Sequence, residues 1–208
     1  MKIICVGLNY QSHNKEMNRA LSSEDDDPVL FMKPDTALLS NNKKQFYIPD
    51  FSSEIHYEAE LVVRIDKMGK NIAERFAHRY YNEITVGVDF TARDIQAGLK
   101  QKSLPWEISK AFDNSAVVGA FVPKDKYGKD ISDLNFQLKI DDILVQSGNT
   151  TDMIHSVDKI IAYASRFFTL KTGDLIFTGT PAGVGRVSIG NHLIGILEGD
   201  ELFDLHIC

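Results

Sequence analysis

Glu58 and Glu60 have the spacing in this sequence that most directly suggests chemistry. They lie two positions apart in segment 55–65, in which apolar residues recur at every second position. Alternate positions of a β-strand share one face, so the pattern predicts a buried apolar face and places both carboxylates together on the other. Two interpretations are open. The glutamates form an exposed face of an antiparallel sheet, or they are oxygen ligands of a hard divalent cation such as Mg²⁺.

Asp89 is a candidate third carboxylate. It lies near the end of a predicted strand over 84–90 and comes shortly before residues 91–94, which carry a Ser/Thr-x-x-acid signal for the start of a helix. The alternative to a metal ligand is an aspartate that serves only the turn into that helix.

His13 and Glu16 are three residues apart, which places them on one side of a helix. A carboxylate beside an imidazole fixes its tautomer and makes it a better base, although a chance surface pair has the same spacing. The segment 14–28 that follows is polar, ends in acidic residues and stops at a proline. This composition is typical of a solvated loop or of a mobile lid beside a site.

A glycine-rich segment, 178–185, includes Gly179 and Thr180. It lacks the Lys-Ser/Thr of a nucleotide-binding P-loop and does not match the dinucleotide-binding spacing. Its backbone N–H groups and two hydroxyls suit the binding of a carboxylate or an oxyanion. Because neither Gly-x-Ser-x-Gly nor a reactive-cysteine context is present, we do not expect a covalent nucleophile.

The elements that must position these residues are mostly strands. Period-two and apolar patterns predict strands over 2–6, 55–65, 84–90, 115–122, 135–146 (bent at 141–142) and 175–177, and helices over 72–82, from 91 onward and over 156–168. Many short strands with a few short helices predict a β-rich α+β fold. The 208 residues show no internal repeat and no linker, so we expect a single domain over 1–208.

Composition excludes several classes of protein. The formal net charge is −6, which argues against a nucleic-acid partner, and no apolar run is long enough to span a membrane. The first residues do not have the pattern of a signal peptide. Cys5 and Cys208 cannot form a disulfide framework, and we expect two reduced thiols in a cytoplasmic protein.

Taken together, the motifs resemble those of the fumarylacetoacetate hydrolase family, in its short single-domain branch. The matching stretches, in chain order, are GLNYQSHNKEM, LFMKPDTAL, IHYEAELVVRI, VGVDFTARDIQ, LPWEISKAFDNSAVVGAFVP, QSGNT and GDLIFTGTPAGVG. The resemblance implies the mixed β-sandwich roll of that family and a homodimer.

The resemblance also implies roles for individual residues. It assigns Mg²⁺ or Mn²⁺ binding to Glu58, Glu60 and Asp89, a catalytic dyad on a lid to His13 and Glu16, catalysis to Lys110, and substrate binding to Arg93, Gln96, Gly179 and Thr180. One departure is visible, because Leu8 stands where the family usually has Arg or Lys. We therefore do not expect a substrate carboxylate to be bound from that position.

The chemistry implied is Mg²⁺-dependent cleavage of a C–C bond in a 2-oxo or β-dicarbonyl acid through a metal-stabilised enolate. Acylpyruvate hydrolysis and oxaloacetate decarboxylation both follow this scheme. An isomerase or tautomerase acting on a 2-hydroxy-dienedioate or oxaloacetate type of substrate is the first alternative. A metal-binding interaction module without catalysis is an alternative of another class.

Overall fold

The computed structural model describes residues 1–18, 23–39 and 44–208. Within these residues the helices are α1 (Gln11–Glu16), α2 (Glu74–Ala77), α3 (Arg93–Gln101), α4 (Glu107–Lys110) and α5 (Val157–Phe167), with 3₁₀ turns at Asp35–Ala37 and Thr150–Asp152. The strands are β1 (Ile3–Gly7), β2 (Val29–Lys33), β3 (Gln45–Phe46), β4 (Ile55–Tyr57), β5 (Ala59–Ile65), β6 (Tyr81–Asp89), β7 (Thr91–Ala92), β8 (Ala116–Val118), β9 (Val122–Pro123), β10 (Asn135–Ile140), β11 (Ile143–Asn149), β12 (Leu175–Phe177), β13 (Gly185–Arg186), β14 (His192–Leu197) and β15 (Asp200–Ile207).

The described strands form three sheets, of which the first two contain both parallel and antiparallel pairs. The first has the order β2-β1-β12-β5-β6-β8, with β9 also paired to β6. The second has the order β11-β10-β14-β15-β3, and the third the order β13-β4-β7. Most pairs are antiparallel, but β1 with β12 and β15 with β3 are parallel. The prediction of a strand-rich α+β fold is confirmed.

The segment predicted as one strand over 55–65 is two strands that break at Glu58. β4 belongs to the third sheet, whereas β5 lies in the middle of the first, between β12 and β6. The strand paired with β5 is interrupted at the same level, because Phe90 separates β6 from β7. The Asp89 N–H donates to the Glu58 carbonyl over 2.9 Å and holds the two breaks together. We call this pair of breaks the strand corner.

The core explains why β5 is buried on both faces. Leu61, Val63 and Ile65 face one apolar cluster, which also contains the buried side of α5. Val62 points the other way, into a second cluster with Cys5. A central strand covered on both faces leaves little solvent-exposed surface for alternate residues, so Glu60 on this strand is also buried, whereas Arg64 near its end is partly exposed.

Two helices differ from the predictions. The helix predicted over 72–82 is a single turn, Glu74–Ala77, because β6 begins already at Tyr81 and takes the following residues into the first sheet. The helix expected from 91 onward begins at Arg93. Thr91 pairs with β4 instead of capping that helix. By contrast, α5 follows the prediction, and the Ser156 side chain accepts the Lys159 N–H at its start.

Part of the predicted lid, residues 19–22, lies outside the described residues. Among the described residues, no helix is long and apolar enough to cross a membrane.

Candidate active site

Three carboxylates meet at the strand corner. Glu58 is 6% exposed, Glu60 2% and Asp89 0%, and one oxygen of each lies within 4.8 Å of one oxygen of each of the others. The interpretation of Glu58 and Glu60 as an exposed sheet face is therefore wrong. An all-oxygen set of three close carboxylates has the chemistry that Mg²⁺ and Mn²⁺ prefer.

Buried cations offset the charge of the carboxylates. The Lys110 Nζ lies 2.7 Å from Glu58 Oε2 and 2.7 Å from Asp89 Oδ2. The Lys33 Nζ lies 2.7 Å from Asp89 Oδ1, and an Arg93 Nη lies 2.5 Å from Glu58 Oε1. All of these side chains are at least nine-tenths buried. Without such partners, burying an ionised carboxylate costs several kcal/mol of folding free energy. That cost is comparable to the net stability of a whole domain.

The surroundings shift the pKa values of the two glutamates in opposite directions. Burial by itself raises the pKa of Glu58, but the Lys110 ammonium and the Arg93 guanidinium outweigh it and hold that pKa well below its ordinary value. Burial, together with the charges of Asp89 and Glu58, raises the pKa of Glu60 well above its ordinary value. Paired acids whose pKa values are pushed apart are typical of active sites.

Lys110 keeps its proton in spite of its burial. Burial lowers the pKa of its ammonium, but the carboxylates of Asp89 and Glu58 more than compensate and raise that pKa above its ordinary value. Lys110 is therefore a fixed positive charge in the site.

The glycine-rich segment closes one side of the carboxylate site. The Gly179 N–H donates to Glu60 Oε2 over 2.6 Å, so in this structure it binds the glutamate and not an external anion. Gly179 has φ +99°, and a Cβ there would lie 2.8 Å from the Asn9 Cβ, so only glycine fits. The Thr180 hydroxyl donates to the Ala59 carbonyl over 2.8 Å and accepts from the Gln146 side chain.

Arg93 and Gln96 lie on the first turn of α3. Their side chains are joined by a 2.8 Å hydrogen bond from an Arg93 Nη to Gln96 Oε1, and both residues are buried. The Arg93 Nε is buried and has no hydrogen-bond partner among the described residues. The structure therefore brings these two of the four predicted substrate-binding residues to the carboxylate site.

His13 and Glu16 form the predicted pair on α1. The His13 Nδ1 lies 3.3 Å from Glu16 Oε2, and Glu16 Oε1 accepts the Gly183 N–H over 3.0 Å. A carboxylate at Nδ1 sets the tautomer of the imidazole, and the Gly183 contact holds that carboxylate in place.

A small cavity is lined by most of the predicted site residues, but not by Glu16, Arg93 or Gly179. Its volume is about 20 Å³, room for about one water molecule. It is lined by His13, Glu58, Glu60, Asp89, Lys110 and Thr180, together with Val6, Gly7, Leu8, Phe31, Gln96 and Trp106. We call it the carboxylate cavity. An imidazole, three carboxylates and an ammonium group thus face one space, a combination typical of an active site.

Comparison with known proteins identifies the family. The family described as "Fumarylacetoacetate (FAA) hydrolase C-terminal" matches residues 2–205. The chain belongs to the fumarylacetoacetate hydrolase family. It is 40% identical over 201 residues to the oxaloacetate tautomerase YcgM of Escherichia coli, covering 97% of this chain and 90% of that protein. It is 41% identical over 207 residues to a mitochondrial oxaloacetate decarboxylase of Dictyostelium discoideum, covering 98% and 93%.

A solved structure of the family carries a metal. Fumarylpyruvate hydrolase from Pseudomonas aeruginosa, in complex with Mn²⁺ and pyruvate, superposes with a TM-score of 0.90 at 35% identity, covering 100% of this chain and 89% of that one. The family fold predicted from the motifs is confirmed, and this chain is an enzyme of the fumarylacetoacetate hydrolase family.

Leu8, which departs from the family pattern, lies in a left-handed turn between two cavities. Leu8 adopts φ 65°, a left-handed conformation that costs a non-glycine residue on the order of 1–2 kcal/mol. The Asn14 side chain donates to the Leu8 carbonyl over 3.0 Å and ties this turn to α1. Leu8 lines the carboxylate cavity and also an adjoining pocket of about 460 Å³, which it shares with Met17, Arg93 and Trp106. We call this space the outer pocket.

Two residues of this family member's site escaped the sequence reasoning. Lys33 is fully buried and, besides Asp89, contacts the Ser115 hydroxyl over 2.9 Å. The sequence does contain a hint of this role, because Lys33 is the one charged residue at the end of an otherwise apolar strand. A lysine buried there needs a carboxylate partner. Gln146 joins the Ala59 N–H to Thr180 through its side chain, and no spacing pattern marks such a contact.

Proposed function

We propose that the protein is a divalent-metal-dependent enzyme that breaks a C–C bond in a 2-oxo acid, by acylpyruvate hydrolysis or oxaloacetate decarboxylation. The observation that carries this proposal is the carboxylate cavity, in which Glu58, Glu60 and Asp89 share one space with Lys110 and His13. The relatives named for oxaloacetate and fumarylpyruvate chemistry support the substrate class.

Glu58, Glu60 and Asp89 would hold the cation, and Mg²⁺ or Mn²⁺ fits their oxygen donors. When bound, the cation supplies a Lewis acid for the carboxylate and 2-oxo oxygens of the substrate and stabilises the negative charge that develops as the bond breaks. Lys110 would lie beside that cation, because its Nζ is 2.7 Å from Glu58 Oε2 and 2.7 Å from Asp89 Oδ2.

The remaining side chains have separate tasks. Lys110 stays protonated and adds positive charge beside the developing anion. His13, held by Glu16, takes a proton from water in hydrolysis or returns one to the product carbon in decarboxylation. Arg93 has a buried Nε without a partner and can donate to a substrate carboxylate.

The outer pocket fits the distal part of the substrate. It adjoins the carboxylate cavity through Leu8, Gln96 and Trp106, and at about 460 Å³ it has room for more than a pyruvyl group. An apolar Leu8 at the junction favours an acyl chain there over a second carboxylate.

A coupled assay for pyruvate tests the proposal. Purified enzyme with Mg²⁺ or Mn²⁺ is expected to release pyruvate from oxaloacetate or from a short acylpyruvate, and EDTA is expected to stop it. Lys110→Ala should lose activity on both substrates, whereas Lys171→Ala, which changes an exposed lysine, should not. Pyruvate release that is unaffected by EDTA or by Lys110→Ala would contradict the proposal.

His13→Ala separates the two cleavage reactions. Hydrolysis needs a base for water, so its rate should fall on the order of 10²–10⁴-fold. Decarboxylation depends mainly on the metal as electron sink and should fall less. His78→Ala, at an exposed histidine, is the matched control.

Tautomerisation of oxaloacetate is the second candidate, favoured by the 40% identity to a named oxaloacetate tautomerase and by the His13–Glu16 pair, which can move a proton between carbon and oxygen. Enol–keto conversion followed by ultraviolet absorbance, without pyruvate release from any substrate, would establish it in place of cleavage.

We also propose a homodimer in the cytoplasm. Large apolar side chains such as Ile189, Ile143 and Tyr47 are more than two-thirds exposed, which supports burial against a second copy. Cys5 and Cys208 are free thiols, which suits a reducing compartment. Light scattering coupled to size-exclusion chromatography tests the dimer, and a mass of one chain would contradict it.

A further inference from the structure

A second group of metal-ligating side chains lies on the second sheet. His192 on β14 pairs directly with His206 on β15, and Asp204 lies two residues before His206. Leu205 and Ile207, between and beyond them, are buried, so the three polar residues share the outer face of the sheet. They belong to different elements from the carboxylate cavity, and the proposed reaction uses none of them.

The three side chains already converge. The imidazoles of His192 and His206 are stacked, with centroids 4.4 Å apart and an interplanar angle of 13°. The Asp204 Oδ1 lies 2.7 Å from the Nε2 of His192 and 4.0 Å from the Nε2 of His206. One donor atom of each residue lies within 4.8 Å of the other two.

Backbone hydrogen bonds fix the positions of His192 and His206 in the second sheet. The Asp141 carboxylate accepts the His192 N–H over 2.9 Å, and the Asp141 N–H donates to the His192 carbonyl over 2.9 Å. The His206 N–H donates to the Lys44 carbonyl over 2.8 Å, where β15 meets β3. Ligands on a fixed backbone lose less conformational freedom when a metal binds.

We propose that His192, Asp204 and His206 bind a divalent transition metal, Zn²⁺ or Ni²⁺, at a surface site separate from the carboxylate cavity. Two imidazoles and one carboxylate favour these borderline ions, whereas the all-oxygen set of the carboxylate cavity favours Mg²⁺. Metal–nitrogen bonds of about 2.0–2.1 Å require the three donors to close by side-chain rotation, and water completes the coordination.

The side chains around the group permit that rotation. Those of His192, Asp204 and His206 are 34%, 47% and 55% exposed, so solvent reaches all three. The Lys44 Nζ lies 3.5 Å from the far oxygen of Asp204, but its side chain is 71% exposed and can turn away as the cation binds.

Retention of untagged protein on a Ni²⁺-charged column tests the site directly, because a column-bound metal cannot reach the buried carboxylates. The wild type is expected to be retained. Single variants His192→Ala and His206→Ala should elute at imidazole concentrations about tenfold lower, since one histidine lacks the chelate effect. His78→Ala and Cys208→Ser are matched controls for another exposed histidine and for the neighbouring thiol, and both should elute as the wild type does. Loss of retention in either control, or none in the histidine variants, would overturn the proposal.

Zinc content provides the second measurement. After equilibrium dialysis against Zn²⁺ with excess Mg²⁺, the wild type should hold about one zinc ion per chain more than the double variant His192→Ala/His206→Ala. Equal zinc contents would overturn the proposal. The double variant should keep the melting temperature and the activity of the wild type without added zinc, which shows that the fold is intact.

Discussion

Glu58 and Glu60 are two residues apart, yet their environments shift their pKa values in opposite directions. The difference follows from their partners. Glu58 contacts Lys110 and Arg93, whereas Glu60 faces two other carboxylates and accepts one backbone N–H. At a pH below the raised pKa of Glu60, binding of a cation would therefore displace a proton from Glu60, whereas the lowered pKa of Glu58 favours its ionised form.

This proton predicts the pH dependence of metal binding. Below the raised pKa of Glu60, the affinity for Mg²⁺ should increase about tenfold per pH unit, and it should level off above that pKa. Calorimetric titrations over a pH series, in buffers of different ionisation enthalpy, measure both the slope and the released proton. In Glu60→Gln the affinity should be low and this slope absent. A wild-type affinity that is flat with pH would contradict the prediction.

The ion pair of Lys33 with Asp89 predicts an effect on the stability of the fold, since Lys33 has no role in the proposed reaction. Lys33→Met removes one of the two ammonium groups on buried Asp89, so the free energy of unfolding should fall by about 3–5 kcal/mol. Urea denaturation measures the loss. Lys171→Met, at an exposed lysine, should stay within about 0.5 kcal/mol of the wild type. Added Mg²⁺ should restore part of the loss in Lys33→Met, because a cation again balances Asp89; no recovery would contradict this account.

At the scale of elements, Asp94 fastens the start of α3 to the chain that precedes β4. Its carboxylate accepts hydrogen bonds from the Ser52 hydroxyl, the Ser53 N–H and hydroxyl, and the Ile95 N–H. Burial by itself raises the pKa of Asp94, but these hydrogen bonds together outweigh it and lower that pKa from 3.8 to about 2. Asp94 therefore helps to place Arg93, the preceding residue, beside Glu58.

Asp94→Ala should destabilise the protein by about 1 kcal/mol after solvent screening of this half-buried group. Because the folded pKa is depressed, the stabilisation is present above pH 3.8 and is lost as the pH falls through about 2. Urea denaturation at neutral pH and near pH 2 measures both limits. A difference between variant and wild type that persists unchanged near pH 2 would contradict the assignment to the ionised carboxylate.

The proposed lid around α1 predicts slower amide hydrogen exchange when a ligand binds. α1 is tied down by the contacts of Asn14 with Leu8 and of Glu16 with Gly183, and the Lys159 side chain contacts the Glu24 carbonyl. If residues 14–28 act as a lid, amide exchange in the peptides covering 10–28 should slow when oxalate and Mg²⁺ bind together. Peptides from α5 serve as the control. Equal exchange rates with and without oxalate would rule out the lid.

How far the sequence predicts these elements depends on the range of the interactions. The helix at α5 and the carboxylate pair of Glu58 and Glu60 follow from local periodicity, and the structure contains both. The break at Glu58 does not follow, because it depends on which sheet accepts each half of the segment. Lys33 was missed for the same reason, since its partner Asp89 is 56 positions away along the chain. Local patterns predict which residue types can act together, and only the packing of the sheets determines their partners.

For the whole molecule, the metal should act as a stabilising ligand. A ligand at about 100 times its dissociation constant adds about 2.7 kcal/mol, which for a chain of this size corresponds to an increase in melting temperature of about 5–10 °C. Thermal melts with and without Mg²⁺ measure the shift. NaCl at matched ionic strength should not produce it, and Glu58→Gln should abolish it. An equal shift in NaCl would assign the effect to general screening of an acidic protein.

The buried ammonium and guanidinium groups around the carboxylates also bear on how the enzyme is made in a cell. Because Lys33, Lys110 and Arg93 already balance the acidic cluster, the polypeptide can complete its fold on leaving the ribosome without waiting for a cation. This is the opposite of a small zinc-dependent domain, which is unfolded until its ion arrives. We therefore expect chains made without the cation to be folded but inactive, and a later supply of the ion to activate them without new protein synthesis.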